Sequence, residues 1–194
     1  MQKGKVIFMT YITDDIMLTK HFDSGEFKCT CGCNNIKIDK LFVERMEKMF
    51  VMLEKVVPLK AIIINSGYRC NNCSTRISGA FIGDMHNKGA AADLHAITAD
   101  NKRVDCFTLA EAAQRVGFGG IAIITDTDIH IDDRQRAEFE YSNRQWYGNE
   151  AIGGTYTTFI GKSKYTKQFD TKDDEKYIEL TIDNVKYTGY LKKS

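Results

Sequence analysis

Two of the four histidines stand beside carboxylates at spacings that suit a metal ion. His86 opens the run His86-Asn87-Lys88-Gly89-Ala90-Ala91-Ala92-Asp93, and His130 lies in Asp128-Ile129-His130-Ile131-Asp132. The small residues ahead of Asp93 let the backbone pack closely, and they put a carboxylate on a strand near the loop that bears His86. Two imidazoles and one carboxylate make a three-ligand set with a fourth position open, as in catalytic zinc sites. Zinc so held lowers the pKa of a bound water towards about 7 and polarises a carbonyl. Side chains two apart on a strand share a face. With His130 turned to the metal, Asp128 and Asp132 turn the same way. Asp128 is then the expected general base, moving a proton from water to the leaving amine. His95 shares a face with Asp93 and is read as a supporting residue or an alternative ligand. Plainer readings fit the same residues: satisfied core histidines, and a solvated turn or weak calcium loop over Thr125 to Asp133.

The six cysteines are unevenly placed. Cys29, Cys31 and Cys33 alternate, Cys70 and Cys73 form a C-x-x-C, and Cys106 stands alone. Three readings stay open for them: packed small thiols, a structural zinc site joining the first cluster to Cys70 and Cys73, or disulfides formed in an oxidising medium. The spacing is not that of a zinc ribbon, which uses two C-x-x-C knuckles.

The elements that must position these groups follow from periodicity. Phe42, Met46, Met49, Phe50, Leu53 and Val57 recur at helical steps, so a helix is predicted from Asp39, its N-cap, to Val57, just before Pro58. Ala61 to Asn65 is a short buried strand closed by Ser66-Gly67. Asn71 to Gly89 reads as a long loop with short structure, a length that usually serves function. Ala90 to Ala96 is a strand of small residues. Thr108-x-x-Glu111 has the capping-box pattern and starts a helix over Leu109 to Val116, stopped by Gly117. Gly119 to Ile124 and Asp128 to Asp132 are further strands. Tyr177 to Ile182 and Val185 to Leu191 flank Asp183-Asn184 as a hairpin.

Hydrophobic residues at 43% and charged residues at 27% exclude a disordered chain, a collagen and a coiled coil. Lys and Arg total 27 against 26 for Asp and Glu, which leaves no footprint for nucleic acid or an anionic membrane. Apolar runs such as Val6 to Met9 are too short to span a bilayer. Asp14 and Asp15 interrupt the first twenty residues, so no secretory signal is expected. The expectation is cytoplasmic synthesis, and action outside the cell would need something other than an N-terminal signal to export the protein.

Three ordered motifs carry a family resemblance. His86-x-x-Gly89-x-Ala91-x-Asp93 resembles the Ser-x-His-x-x-Gly-x-Ala-x-Asp motif of the zinc D-Ala-D-Ala carboxypeptidase family, which includes phage L-alanyl-D-glutamate endolysins. Asn65-Ser66-Gly67-Tyr68-Arg69 resembles its Ser-Gly-Tyr-Arg motif. Gly119-Gly120-Ile121 leading to His130-Ile131-Asp132-Asp133-Arg134 resembles its closing segment. Upstream, Glu26-Phe27-Lys28-Cys29 is similar to the family's N-terminal region.

The resemblance implies zinc bound by His86, Asp93 and His130. It also implies a substrate grip by Arg69 with Ser66 and Tyr68. Arg69 would meet the scissile carbonyl oxygen or a substrate carboxylate, stabilising negative charge. The implied fold is α+β, a small antiparallel sheet flanked by helices of the Hedgehog/D,D-peptidase kind, with a C-terminal β-hairpin extension. The expected organisation is a zinc peptidase domain over 1–145 and a β-rich extension over 146–194.

Two departures stand out. Asp84 replaces the family's serine, adding negative charge near the metal. Thr127 occupies the position three before the last histidine, where some branches keep their base, so Asp128 is preferred and Asp126 is the alternative. The expected activity is hydrolysis of D-amino-acid-containing peptidoglycan stem peptides, most simply at a terminal D-Ala-D-Ala, by a monomer. Alternatives are an L-alanyl-D-glutamate endopeptidase and a non-catalytic zinc-stabilised recognition module. The tail from Tyr156 is read as packing on the catalytic domain or gripping the wall.

Overall fold

A computed structural model describes residues 10–170 and the backbone of residues 175–182 and 185–192. The Val6 to Met9 run and the Asp183-Asn184 turn lie outside the described residues. In chain order the elements are β1 (Tyr11–Ile12), β2 (Ile38–Asp39), α1 (Lys40–Glu54), β3 (Leu59–Ser66), α2 (Asn71–Ser74), β4 (Ala91–Thr98), α3 (Cys106–Arg115), β5 (Gly120–Ile123), β6 (Asp128–Asp132), β7 (Trp146–Asn149), α4 (Thr166–Phe169), β8 (Glu175–Ile182) and β9 (Val185–Lys192). The central sheet runs β3-β4-β6-β5-β7. It is antiparallel apart from β5 and β7, which are parallel. β8 and β9 pair antiparallel as the expected hairpin strands.

Helix α1 starts where its cap demands. The Asp39 carboxylate accepts the Phe42 N–H at 3.0 Å, as the sequence predicts. Phe42, Met46, Met49 and Leu53 are fully buried on one face, and α1 packs against α3 and β3. Each such side chain contributes ~1.5–3 kcal/mol by leaving water.

The start of α3 differs from the capping-box expectation. Its N-cap is Asp105, whose carboxylate accepts the Thr108 N–H at 3.0 Å. The Thr108 hydroxyl donates to the same carboxylate, so it is not free to cap. Glu111 turns inward instead. Its buried carboxylate accepts the Gly161 and Ser163 N–H groups and the Thr166 hydroxyl, and pairs with Arg115. A residue patterned as a capping partner thereby ties the chain near 161–166 to α3.

The sheet has one face for packing and one for polar chemistry. Ala92, Leu94, Ala96, Ile129 and Ile131 belong to the buried core shared with the helices. The residues that alternate with them, Asp93, His95, Asp128, His130 and Asp132, turn the other way. Strand β7 has no sequence signal, because Trp146-Tyr147-Gly148-Asn149 neither alternates nor is β-branched. It extends the edge beyond β5, with Gly120 opposite Trp146, and Phe159 packs on Tyr147 and Tyr156 behind it. No helix among the described residues is long and apolar enough to cross a membrane.

Candidate active site

Strands β4 and β6 set Asp93 directly opposite His130. The third group arrives from the loop before β4. That loop is closed by the Gly89 N–H on the His86 carbonyl and the Lys88 N–H on the Asp84 carbonyl. Gly89 has a left-handed backbone, φ +72°, and a Cβ there would collide with the Lys37 carbonyl. This accounts for the glycine between His86 and Asp93.

The imidazoles are oriented from behind. His86 Nδ1 lies 2.7 Å from the Gly67 carbonyl oxygen, so that nitrogen carries the proton and donates it. Nε2 is left as an acceptor, 3.3 Å from Asp93 Oδ1 and 3.2 Å from His130 Nδ1. His130 Nε2 lies 2.9 Å from Asp132 Oδ2, which leaves Nδ1 facing Asp93 Oδ1 at 2.9 Å. Arg134 holds Asp132 through Nε and Nη2. A Cβ on Gly120 would strike the Asp132 carboxylate, so only glycine fits beside it.

Three lone-pair donors therefore converge, with ligand atoms all within 4.8 Å of one another. Such a set is electrostatically unsatisfied until a cation or a proton enters it. Burial pushes the Asp93 pKa up, but its contacts with His130 and then His86 outweigh it and hold the carboxyl far below its ordinary value. Burial pulls His130 down, but Asp132 and Asp93 outweigh it and hold it at about 9. That proton on His130 occupies the place a cation would take: two imidazoles and a carboxylate, backed by an outer carboxylate, are the donor types zinc uses once the imidazoles are neutral.

The donors line a cleft of about 350 Å³ together with Arg69, Phe81, Arg134, Tyr141, Trp146 and Glu150. Arg69 Nη2 donates to Asp93 Oδ2 at 2.5 Å and Nε donates to Ser66 Oγ at 3.1 Å. Ser66 thus touches Arg69 and does not line the cleft. Tyr68 does not line it either. Burial, then the charge of neighbouring Cys70 and Cys29, pushes its phenol up. Asp84 lines the cleft, but its carboxylate accepts the Phe81 and Asn87 N–H groups.

Asp128 shares the sheet face with His130, as its spacing predicts, yet it does not line the cleft. Its carboxylate accepts from Asn65 Nδ2 at 2.8 Å, Thr125 Oγ1 at 2.6 Å, Thr127 Oγ1 at 3.1 Å and Arg103 Nη1 at 3.0 Å. Burial raises its pKa, but the threonines, Asn65 and Arg103 bring it below the ordinary value. Asp126 does not line the cleft either. His95 lies with Asp128, at 3.6 Å, and not among the three converging donors.

Sequence reasoning missed Trp146 and Glu150, which come with the unpatterned strand β7 and the turn after it. Asp132 was on the expected face, but its contact with His130 follows only from the fold.

A family model described as Peptidase M15 matches residues 20–132. No curated protein and no solved structure matches the chain.

Proposed function

The chain belongs to the Peptidase M15 family of zinc metallopeptidases acting on peptidoglycan-type substrates, and from that premise we propose that it is a D,D-carboxypeptidase of peptidoglycan stem peptides. The observation that carries this reading is the cleft in which Arg69 stands beside the three convergent donors. His86, Asp93 and His130 would hold the ion, which when bound supplies a Lewis acid for the scissile carbonyl and for water.

The protein's own residues do the rest. Asp132 fixes the tautomer and ring plane of His130, and the Gly67 carbonyl does the same for His86. Arg69 has Nε and Nη2 engaged, so Nη1 is the donor it offers to a substrate oxygen. A free terminal carboxylate there would select carboxypeptidase action. Phe81, Tyr141 and Trp146 give the cleft apolar walls that limit water.

Four carboxylates line the cleft: Asp84, Asp93, Asp132 and Glu150. Asp93 is a ligand in this reading, Asp132 is held by Arg134, and Asp84 is engaged by backbone. Glu150 has no side-chain hydrogen bond among the described residues, and it replaces Asp128 as the proposed general base. It would take the proton of the attacking water and deliver it to the leaving amine. The catalytic unit in this reading runs past residue 145, because β7 and its turn supply Trp146 and Glu150.

Mass spectrometry of peptidoglycan fragments incubated with the protein, with and without a chelator, tests the proposal. Chelator-sensitive loss of one terminal alanine is expected. Release of larger stem fragments would make the enzyme an endopeptidase. No product from zinc-loaded protein would leave a recognition module.

A further inference from the structure

A second group of donors lies outside the cleft. Cys29, Cys31, Cys33 and Cys70 bring their sulfurs within 4.8 Å of one another. Cys29 and Cys31 Sγ are 3.5 Å apart, and Cys31 and Cys70 Sγ are 3.6 Å apart. A tetrahedral zinc site with Zn–S of about 2.3 Å requires S···S edges of about 3.8 Å. A disulfide requires about 2.05 Å. The spacing is therefore that of thiols around a common centre, not of bonded pairs.

Filling of the core does not account for the cluster. Free cysteines used as small apolar residues are among the most buried of side chains, whereas Cys31 and Cys33 are exposed. The backbone supplies what thiolates need. Cys29 Sγ accepts the N–H of Cys70, at 3.4 Å, and that of Cys31. Cys31 accepts the Cys33 N–H, and Cys33 accepts the Asn35 N–H. Successive amides two residues ahead thus point at the sulfurs, supporting negative charge on them. The Cys29 N–H closes this loop on the Asn35 carbonyl at 3.0 Å.

We propose that Cys29, Cys31, Cys33 and Cys70 form a tetrathiolate site for one zinc ion that fastens the N-terminal segment to the loop carrying Arg69. Soft thiolates select zinc over calcium or magnesium. The two segments already touch, through the Tyr68 N–H on the Phe27 carbonyl at 2.9 Å. The ion adds a cross-link beside it, on Cys70, the residue after Arg69. Cys73, at the buried side of the cluster, is the fifth thiol and is left out of the ligand set.

Metal content of the full chain, purified under reducing conditions, is the first measurement. Two zinc ions per chain are expected. A His86→Ala/His130→Ala protein keeps one, a Cys31→Ser/Cys33→Ser protein keeps one, and Cys73→Ser keeps two. Cobalt loaded into the histidine variant, with every cysteine intact, gives an intense near-ultraviolet thiolate-to-cobalt band. This arm does not depend on how the cysteine variants fold. Absence of that band, iron in place of zinc, paired cysteines in the intact mass, or zinc loss in Cys73→Ser overturns the proposed site. A single zinc ion that survives the histidine changes and is lost with the cysteines would sink the cleft reading and leave this one standing.

Discussion

Strands β4 and β6 carry the same pair of residue types twice on one face. Asp93 faces His130 in one row, and His95 faces Asp128 in the next. Only the first row opens on the cleft. There, Arg69 takes the outer oxygen of Asp93 and leaves Oδ1 to the imidazoles, while His86 enters from a separate loop. In the second row, Arg103, Asn65 and two threonines take up the carboxylate of Asp128. Among the described residues, no third histidine, cysteine or carboxylate converges on that row. Burial, then the charge of Arg103, pulls the His95 pKa down against the opposing charge of Asp128. The difference shows that what approaches a histidine–aspartate pair from outside the strands decides whether further donor atoms converge on it.

The sharpest break of this comparison is to remove one donor from each row. Asp93→Ala or His130→Ala is expected to abolish chelator-sensitive turnover and remove the cleft ion, whereas His95→Ala keeps both. Metal analysis beside a peptide-release assay reads the two outcomes, and metal loss in His95→Ala would merge the rows.

The next effect concerns the base. Glu150→Gln is expected to lower kcat by ~10²–10⁴ with metal retained. Asp128→Asn is expected to change kcat by less than about tenfold, because its carboxylate is already committed to neutral and cationic donors. A reversed order would restore Asp128 to the role its spacing suggests.

A smaller effect is expected behind His130. Asp132→Asn should weaken zinc binding about 10–100-fold, measured by competition with a coloured chelator, while Asp128→Asn leaves the affinity unchanged. The smallest belongs to Arg103. Its side chain is 48% exposed, so Arg103→Ala should cost at most ~1 kcal/mol in urea unfolding, with activity intact. A large loss of activity there would give the second row a catalytic part.

Much of the frame was legible in the chain. Helix α1 follows from the spacing of Phe42, Met46, Met49 and Leu53 and from Asp39 ahead of them. Strands β4 and β6 were expected over these residues, and with them the face that Asp93 shares with His95 and the face that His130 shares with Asp128; the register between the strands joins the two faces. The capping pattern at Thr108 misled, because Asp105 lies three residues earlier and Glu111 found partners more than forty residues away. Strand β7 was illegible, since Trp146 to Asn149 takes its extended form from pairing with β5, not from its own residues.

By itself, then, the sequence determined the donor types, their order and the face each occupies, because helix and strand periods are local properties of the backbone. The tertiary structure decided which donors meet. His86 reaches Asp93 and His130 only because its loop closes at Gly89, and the Asp128 carboxylate is taken up by Arg103, Asn65 and two threonines instead of opening on the cleft. Glu150 enters the cleft only because β7 completes the sheet edge. Side-chain partners are set by long-range packing and competing hydrogen bonds, and these exist only once the chain has folded.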